Sequence, residues 1–236
     1  MQLPFINRWH PLLAIRYLPI VSAIKQLKTT TILEVGSGGL GIGPYLKKPF
    51  VGLDIDFSPP LSTHLTPIIG SATHPPFKPN SFQAVICSDT LEHIPPSKRQ
   101  QVISDLISMA TKLVIISVPV GLKAQDQDRQ LDQIYFKKHH THHPFFTDHL
   151  QYGLPTQTSI IAAIDQARAD KDKITQIEIL PNLNLSLRFF LMKGWISINP
   201  ITNLIHRKIL LFFLPILRLF NHPPVYRQLF IVKILN

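Results

Sequence analysis

Between residues 31 and 119, short apolar runs alternate with helical or turn-rich stretches. The runs at 31–35, 50–54, 67–69, 82–87 and 112–118 are almost continuously apolar, the pattern of strands covered on both faces. Strands separated by helical segments pair in parallel through crossovers. After the fourth run, Val102, Ile103, Leu106, Ile107 and Ala110 recur at helical spacing behind a capping box of Ser97 and Gln100, which predicts a crossover helix on the sheet. A further helix is expected over about 156–169, with strands at 174–180 and 225–233. Proline pairs at 59–60, 75–76, 95–96 and 223–224 mark loops. From 121 to 153 the pattern lapses into charged, His-rich sequence too long for an ordinary connection, so a cap or lid is expected there. The expected architecture is α/β, a doubly wound, mostly parallel seven-stranded sheet. Its parts are a helical basic extension at 1–30, a core at 31–120, a lid at 121–155 and a C-terminal part at 156–236 with a basic apolar insertion at 185–222.

Composition narrows the class. With 236 residues and 45% hydrophobic content, the chain can bury a sizeable core. One cysteine, Cys87, excludes an intramolecular disulfide and a thiolate cluster. The longest apolar run, 209–217, is nine residues and contains Pro215, far short of the roughly 20 that cross a bilayer. The N-terminal apolar stretch is broken by Arg8, His10, Pro11 and Arg16 and lacks a small-residue cleavage site. The expectation is a cytoplasmic, unprocessed protein without a membrane span.

Net charge is +10, and all 14 acidic residues lie between 31 and 180. Residues 1–30 carry Arg8, Arg16, Lys25 and Lys28; residues 181–236 carry seven bases. The body is near neutral and both ends are basic, with Trp9, Tyr17, Phe189, Trp195, Phe212 and Phe220 interleaved among the cations. Such ends suit a partner that is anionic and either greasy or rich in stackable rings.

The first run ends in Glu34-Val35-Gly36-Ser37-Gly38-Gly39-Leu40-Gly41. Glycines directly after a strand let the backbone turn sharply and approach a ligand closely. Eighteen residues beyond Gly36, the second run ends in Asp54, where a carboxylate can accept both hydroxyls of a ribose. Together these describe a nucleoside site. No Gly-Lys-Ser/Thr ending follows, which argues against a phosphate loop, whereas Gly36-x-Gly38-x-x-Gly41 meets the dinucleotide spacing and keeps NAD open.

Residues Glu34 to Gly41, the 51–54 strand end, the stretch from Gly70-Ser71-Ala72 to Phe82, and Cys87-Ser88-Asp89-Thr90-Leu91-Glu92-His93-Ile94 resemble the class I S-adenosylmethionine-dependent methyltransferases, in particular their small-molecule, type 11-like branch. The resemblance covers about 31–119 and extends weakly to His143-Pro144-Phe145 and the stretch from Tyr152 to Pro155. It implies six parallel strands and one reversed strand at 225–233. It also implies that Gly36, Ser37, Gly38 and Gly41 shape the methionine end, with Glu34 reaching the cofactor amino group and Ser88 beside it. Asp54, followed by Ile55, would take the ribose, and Ser71 and Ala72 the adenine edge. Two departures stand out: Leu40 occupies the family's third glycine slot, which implies a reshaped loop, and Ser71 replaces a common Asp, a weaker acceptor for the adenine amino group.

A sulfonium methyl is already activated, so holding the acceptor in line supplies about 7–11 kcal/mol of the barrier. A hydroxyl acceptor also needs a base; His93 or a lid histidine and, at the same strand end, Asp89 are the candidates. The lid holds five of the 11 histidines. His139 and His143 are four apart, but Pro144 ends any helix there and no cysteine is near, so no metal site is expected. The expected acceptor is a small or lipid-like molecule, with the basic ends touching an anionic, inner-membrane surface. An RNA acceptor and an NAD-using or non-catalytic nucleoside-binding protein are the alternatives.

Overall fold

A computed structural model of the protein describes residues 9–235. Arg8 and the rest of the first eight positions of the expected N-terminal extension lie outside the described residues, as does Asn236. The chain opens with α1 (Pro11–Gln26), then β1 (Ile32–Val35), α2 (Gly43–Leu46), β2 (Phe50–Asp54), β3 (Leu65–Ile69) and β4 (Phe82–Ser88). Next come α3 (Pro96–Met109), β5 (Ala110–Pro119), α4 (Gly121–His139), α5 (Pro144–Tyr152), α6 (Gln157–Asp170) and β6 (Ile174–Asn184). α7 (Leu185–Ile196), α8 (Pro200–Arg207), a 3-10 turn (Ile209–Phe213), α9 (Leu214–Arg218) and β7 (Val225–Leu235) complete it.

The seven strands form one sheet in the order β3-β2-β1-β4-β5-β7-β6. β1 to β5 pair in parallel, and β7 runs antiparallel to both β5 and β6. This is the expected six-plus-one arrangement. β1 lies between β2 and β4, so the strand order reverses at its carboxyl end and leaves a crevice there. Alternate side chains feed two layers. Ile32, Ala84 and Ile115 join α1, α2, α7 and α9 on one face, and Leu33, Val85 and Val114 join α3 and α6 on the other. Burial of these runs is the main stabilising term.

Local expectations hold unevenly. α6 is capped by Thr156 in a reciprocal box with Ser159. α3 instead starts at Pro96, and no side chain caps it; Ser97 lies inside its first turn because proline at the first helical position has no N–H to satisfy. Ala110, expected at the end of that helix, opens β5. The expected lid region is two helices. The inward positions of α4 are Ala124, Asp128, Leu131 and Asp132, a helical spacing hidden from an apolar pattern by two aspartates.

The basic insertion is broken into α8, a 3-10 turn and α9, with Pro215 in the first turn of α9. Arg207 and Arg218 therefore do not share the face of one continuous helix. Taken together, Pro200–Arg218 is nonetheless long and apolar enough by length and composition to cross a membrane, which amends the expectation that no stretch comes near that length.

Candidate active site

The glycine turn is forced by what lies behind it. Gly36 has φ +76° and donates to the Leu53 carbonyl at 2.8 Å; any Cβ would collide with the Thr90 side chain. Gly41 has φ +47° and leaves room for the Glu34 carboxylate. That is why glycine stands at 41 and leucine is tolerated at 40. Asp54 closes the turn across the crevice, accepting from Gly38 N–H and Ile55 N–H, each at 2.7 Å.

Beside this turn opens a cleft of about 450 Å³, lined among others by Gly36, Asp54, Ile55, Ser71, Ala72 and Thr90. Its size is within the range of small-ligand pockets. The Ser71 hydroxyl is shared with Thr73, 2.9 Å from its hydroxyl and 3.2 Å from its amide. Glu34, Ser37, Gly38, Gly41 and Ser88 do not line the cleft. Glu34 is fully buried and accepts from Ile42 N–H at 2.7 Å, so it braces the turn from beneath. Ser37 donates to the Gly38 carbonyl at 3.1 Å, and Ser88 is buried opposite Ser117.

A second cavity, about 440 Å³, lies behind the first. Leu12, Leu13, Leu183, Met192, Phe145 and Trp195 give it apolar walls; Arg16, Arg188 and Arg227 stand among them. Asp89 and His93 line both cavities. The two spaces meet at these residues, the two expected to do chemistry.

Many solved structures match this fold, three methyltransferases among them. The methyltransferase domain of bacterial CtHen1-C matches with TM-score 0.54 at 12% identity, covering 94% of this chain and 98% of that one. The plantazolicin methyltransferase BpumL in complex with S-adenosylhomocysteine gives 0.55 at 12%, covering 98% and 87%. The small RNA methyltransferase HEN1 gives 0.56 at 14%, covering 96% of this chain and 26% of that one. The chain has the class I methyltransferase fold. No family model and no curated protein matches the sequence.

Asp89, at φ +49°, is held by Arg227 through both oxygens and by Arg16 through one. Burial pushes its carboxyl up, but the two guanidiniums hold it below the ordinary aspartate value. Burial likewise disfavours the Arg16 cation, yet Asp89 raises it above the ordinary arginine value. Asp89 is thus a clamped anion, and the structure assigns it a holding role in place of the expected proton transfer.

His93 keeps its candidacy. Its Nδ1 lies 2.9 Å from Asp148 Oδ2; an ionised carboxylate only accepts, so Nδ1 carries the proton and Nε2 keeps a lone pair. Burial lowers the His93 pKa, with Asp148 opposing, so the ring is neutral at neutral pH. His149 is built the same way: Nδ1 is 2.8 Å from buried Asp128, which is also held by Arg188 and, at 3.2 Å, by the Tyr226 hydroxyl. Glu92 completes a trio whose ligating atoms all lie within 4.8 Å of one another. Both Glu92 oxygens and His149 Nε2 are buried without a hydrogen-bond partner, and His149 Nε2 stands 3.9 Å from Glu92 Oε1. Burial, then Asp89, pushes the Glu92 carboxyl well above its ordinary value.

The sequence offers His149 only as one of five lid histidines and Glu92 only as part of the 87–94 motif; the spacing singles out neither. The other lid histidines do structural work: His142 pairs with Asp132 at 2.7 Å, His139 Nε2 meets the Ile196 carbonyl at 2.9 Å, His140 ends α4 and His143 caps α5. His139 and His143 pack on Tyr135 from separate elements.

Glu34 carries a testable pH dependence. Burial pushes its carboxyl from 4.5 to about 7, against the pull of the Ile42 amide, Tyr17 and Arg16. A folded value above the unfolded one means that the protonated form stabilises the fold fully below the unfolded pKa and that this contribution is lost as pH rises through about 7. Between about pH 4 and 8, wild type should lose about 3 kcal/mol of unfolding free energy relative to Glu34→Gln. Parallel pH curves in urea titrations would contradict this.

Proposed function

We propose that the protein is an S-adenosylmethionine-dependent methyltransferase acting on a small or lipid-like, largely apolar acceptor. The observation that carries this reading is the meeting of two cavities at Asp89 and His93. The cofactor nucleoside lies along Asp54, Ser71 and Ala72, and the acceptor enters between α1, α5 and α7. Leu12, Phe145 and Trp195 exclude water and orient it, and orientation is the larger part of what this transfer requires.

The trio of Glu92, His93 and His149 faces the acceptor side. Its unprotonated imidazole nitrogens can take the proton of an acceptor hydroxyl. The trio also fits a divalent cation: two histidines backed by carboxylates and a buried carboxylate lacking hydrogen bonds are the donor set of such a site. When bound, a cation supplies Lewis-acid polarisation of an acceptor oxygen.

Net charge of +10 favours RNA as a second reading. Against it, the cavity's Arg16, Arg188 and Arg227 are all paired with Asp89 or Asp128 and offer no free cation to phosphates. The test is methyl-labelled cofactor incubated with cell extract, separated into lipid, small-molecule, RNA and protein fractions. Label in the lipid or small-molecule fraction is expected. Label in RNA supports the second reading, and none in any fraction contradicts both. Repeating the assay with a chelator, then with added manganese, tells whether the trio works with a cation: transfer that is lost and then restored requires one.

A further inference from the structure

We propose that residues 198–220 seat the protein on an anionic lipid bilayer beside the mouth of the acceptor cavity. The segment is apolar yet turned outward: Ile198, Ile201, Phe212 and Leu219 are each 69–77% exposed. Only Leu214 and Leu217 are buried, packing into the layer of α1. Scattered exposed apolar side chains are ordinary; a run of them within one short segment marks an interaction surface.

Charge selects the partner. Residues 181–236 hold seven Lys and Arg and no Asp or Glu. Lys193, Arg207 and Arg218 make no ion pair among the described residues, unlike Arg188, Arg227 and Lys233. Apolar side chains with cations and no anions match the interfacial zone of an anionic bilayer, where rings and aliphatic chains enter the headgroup boundary and cations meet phosphates.

The segment lies on the surface and does not cross. β6 and α7 before it and β7 after it belong to the same sheet and layer, so its two ends cannot stand on opposite sides of a membrane. Placement relative to the cavity follows from α7. Arg188, Met192 and Trp195 of that helix line the cavity, while Gly194 lies against His206 of α8 so closely that a Cβ would strike the imidazole. Docking α8 on lipid thus brings the cavity wall to the interface.

Docking is independent of the methyl-transfer reading, and flotation of the full chain tests it. Vesicles of phosphatidylcholine with phosphatidylglycerol should carry the protein up, vesicles of phosphatidylcholine alone should not, and added salt should weaken binding. The double variant Phe212→Glu/Leu219→Glu, outward positions both, should abolish flotation. In Arg207→Gln/Arg218→Gln, partitioning should fall about fivefold for each cation removed. S-adenosylhomocysteine affinity, measured on the same samples, should stay constant. Wild type that ignores anionic vesicles, or the glutamate variant floating equally well, would overturn the proposal. So would a wild-type dimer in sedimentation equilibrium that the glutamate variant dissolves without any flotation, since the face would then belong to a second copy.

Discussion

His149→Ala is expected to leave S-adenosylhomocysteine binding within about twofold of wild type while methyl transfer falls by about 100- to 10,000-fold. The split follows from geometry. His149 lines the second cavity and not the cleft beside the glycine turn, whereas His93 lines both. His93→Ala should therefore disturb cofactor binding and transfer together. His149 is buried, but its loss leaves Asp128 with Arg188 and the Tyr226 hydroxyl, so the fold has partners enough to survive. Equal losses of binding and transfer in His149→Ala would remove the basis for separating the two cavities. Single-turnover assays with labelled cofactor, alongside calorimetry, read both quantities.

Asp89→Ala is expected to lower the unfolding free energy by about 3–5 kcal/mol, because it leaves the buried Arg227 and the half-buried Arg16 guanidinium without their anion. Arg227 on β7 and Arg16 on α1 converge on that carboxylate from opposite ends of the chain. The loss should be partly recovered in Asp89→Ala/Arg227→Met, which removes one stranded charge; a double-mutant cycle in urea isolates the coupling. Strictly additive effects would contradict the clamp. Asp89→Asn should lie between wild type and Asp89→Ala, since asparagine tolerates the left-handed backbone at this position.

The parts of this molecule that were legible from sequence are those where local chemistry repeats the global answer. β1, β2 and β4 are short apolar runs because they are covered on both faces, and the glycines at 36 and 41 stand where positive φ and close packing demand them. Asp54, Ser71 and Ala72 fall in the cleft because they end or follow strands that the alternation already implied were parallel. What was not legible depends on contacts between distant segments. α4 hides its helical period by burying Asp128 and Asp132, which His149, Arg188, Tyr226 and His142 make tolerable. Asp89 reads as a candidate base until Arg16 and Arg227 arrive beside it. Glu34 reads as a cofactor contact, and spacing alone does not show that Ile42 N–H takes one of its oxygens. In each case a polar side chain serves the packing, and its partner lies too far along the chain for spacing to reveal.

The central claim is that an adenosine moiety rests in the cleft bordered by Gly36, Asp54 and Ser71. Calorimetric titration of S-adenosylhomocysteine into wild type and Asp54→Ala tests it most directly. The account predicts binding by wild type and a loss of roughly 100-fold or more in the variant, the worth of two charge-assisted hydrogen bonds to the ribose. Wild type that takes up no S-adenosylhomocysteine, an Asp54→Ala variant that binds as tightly, or tighter binding of NAD would contradict it.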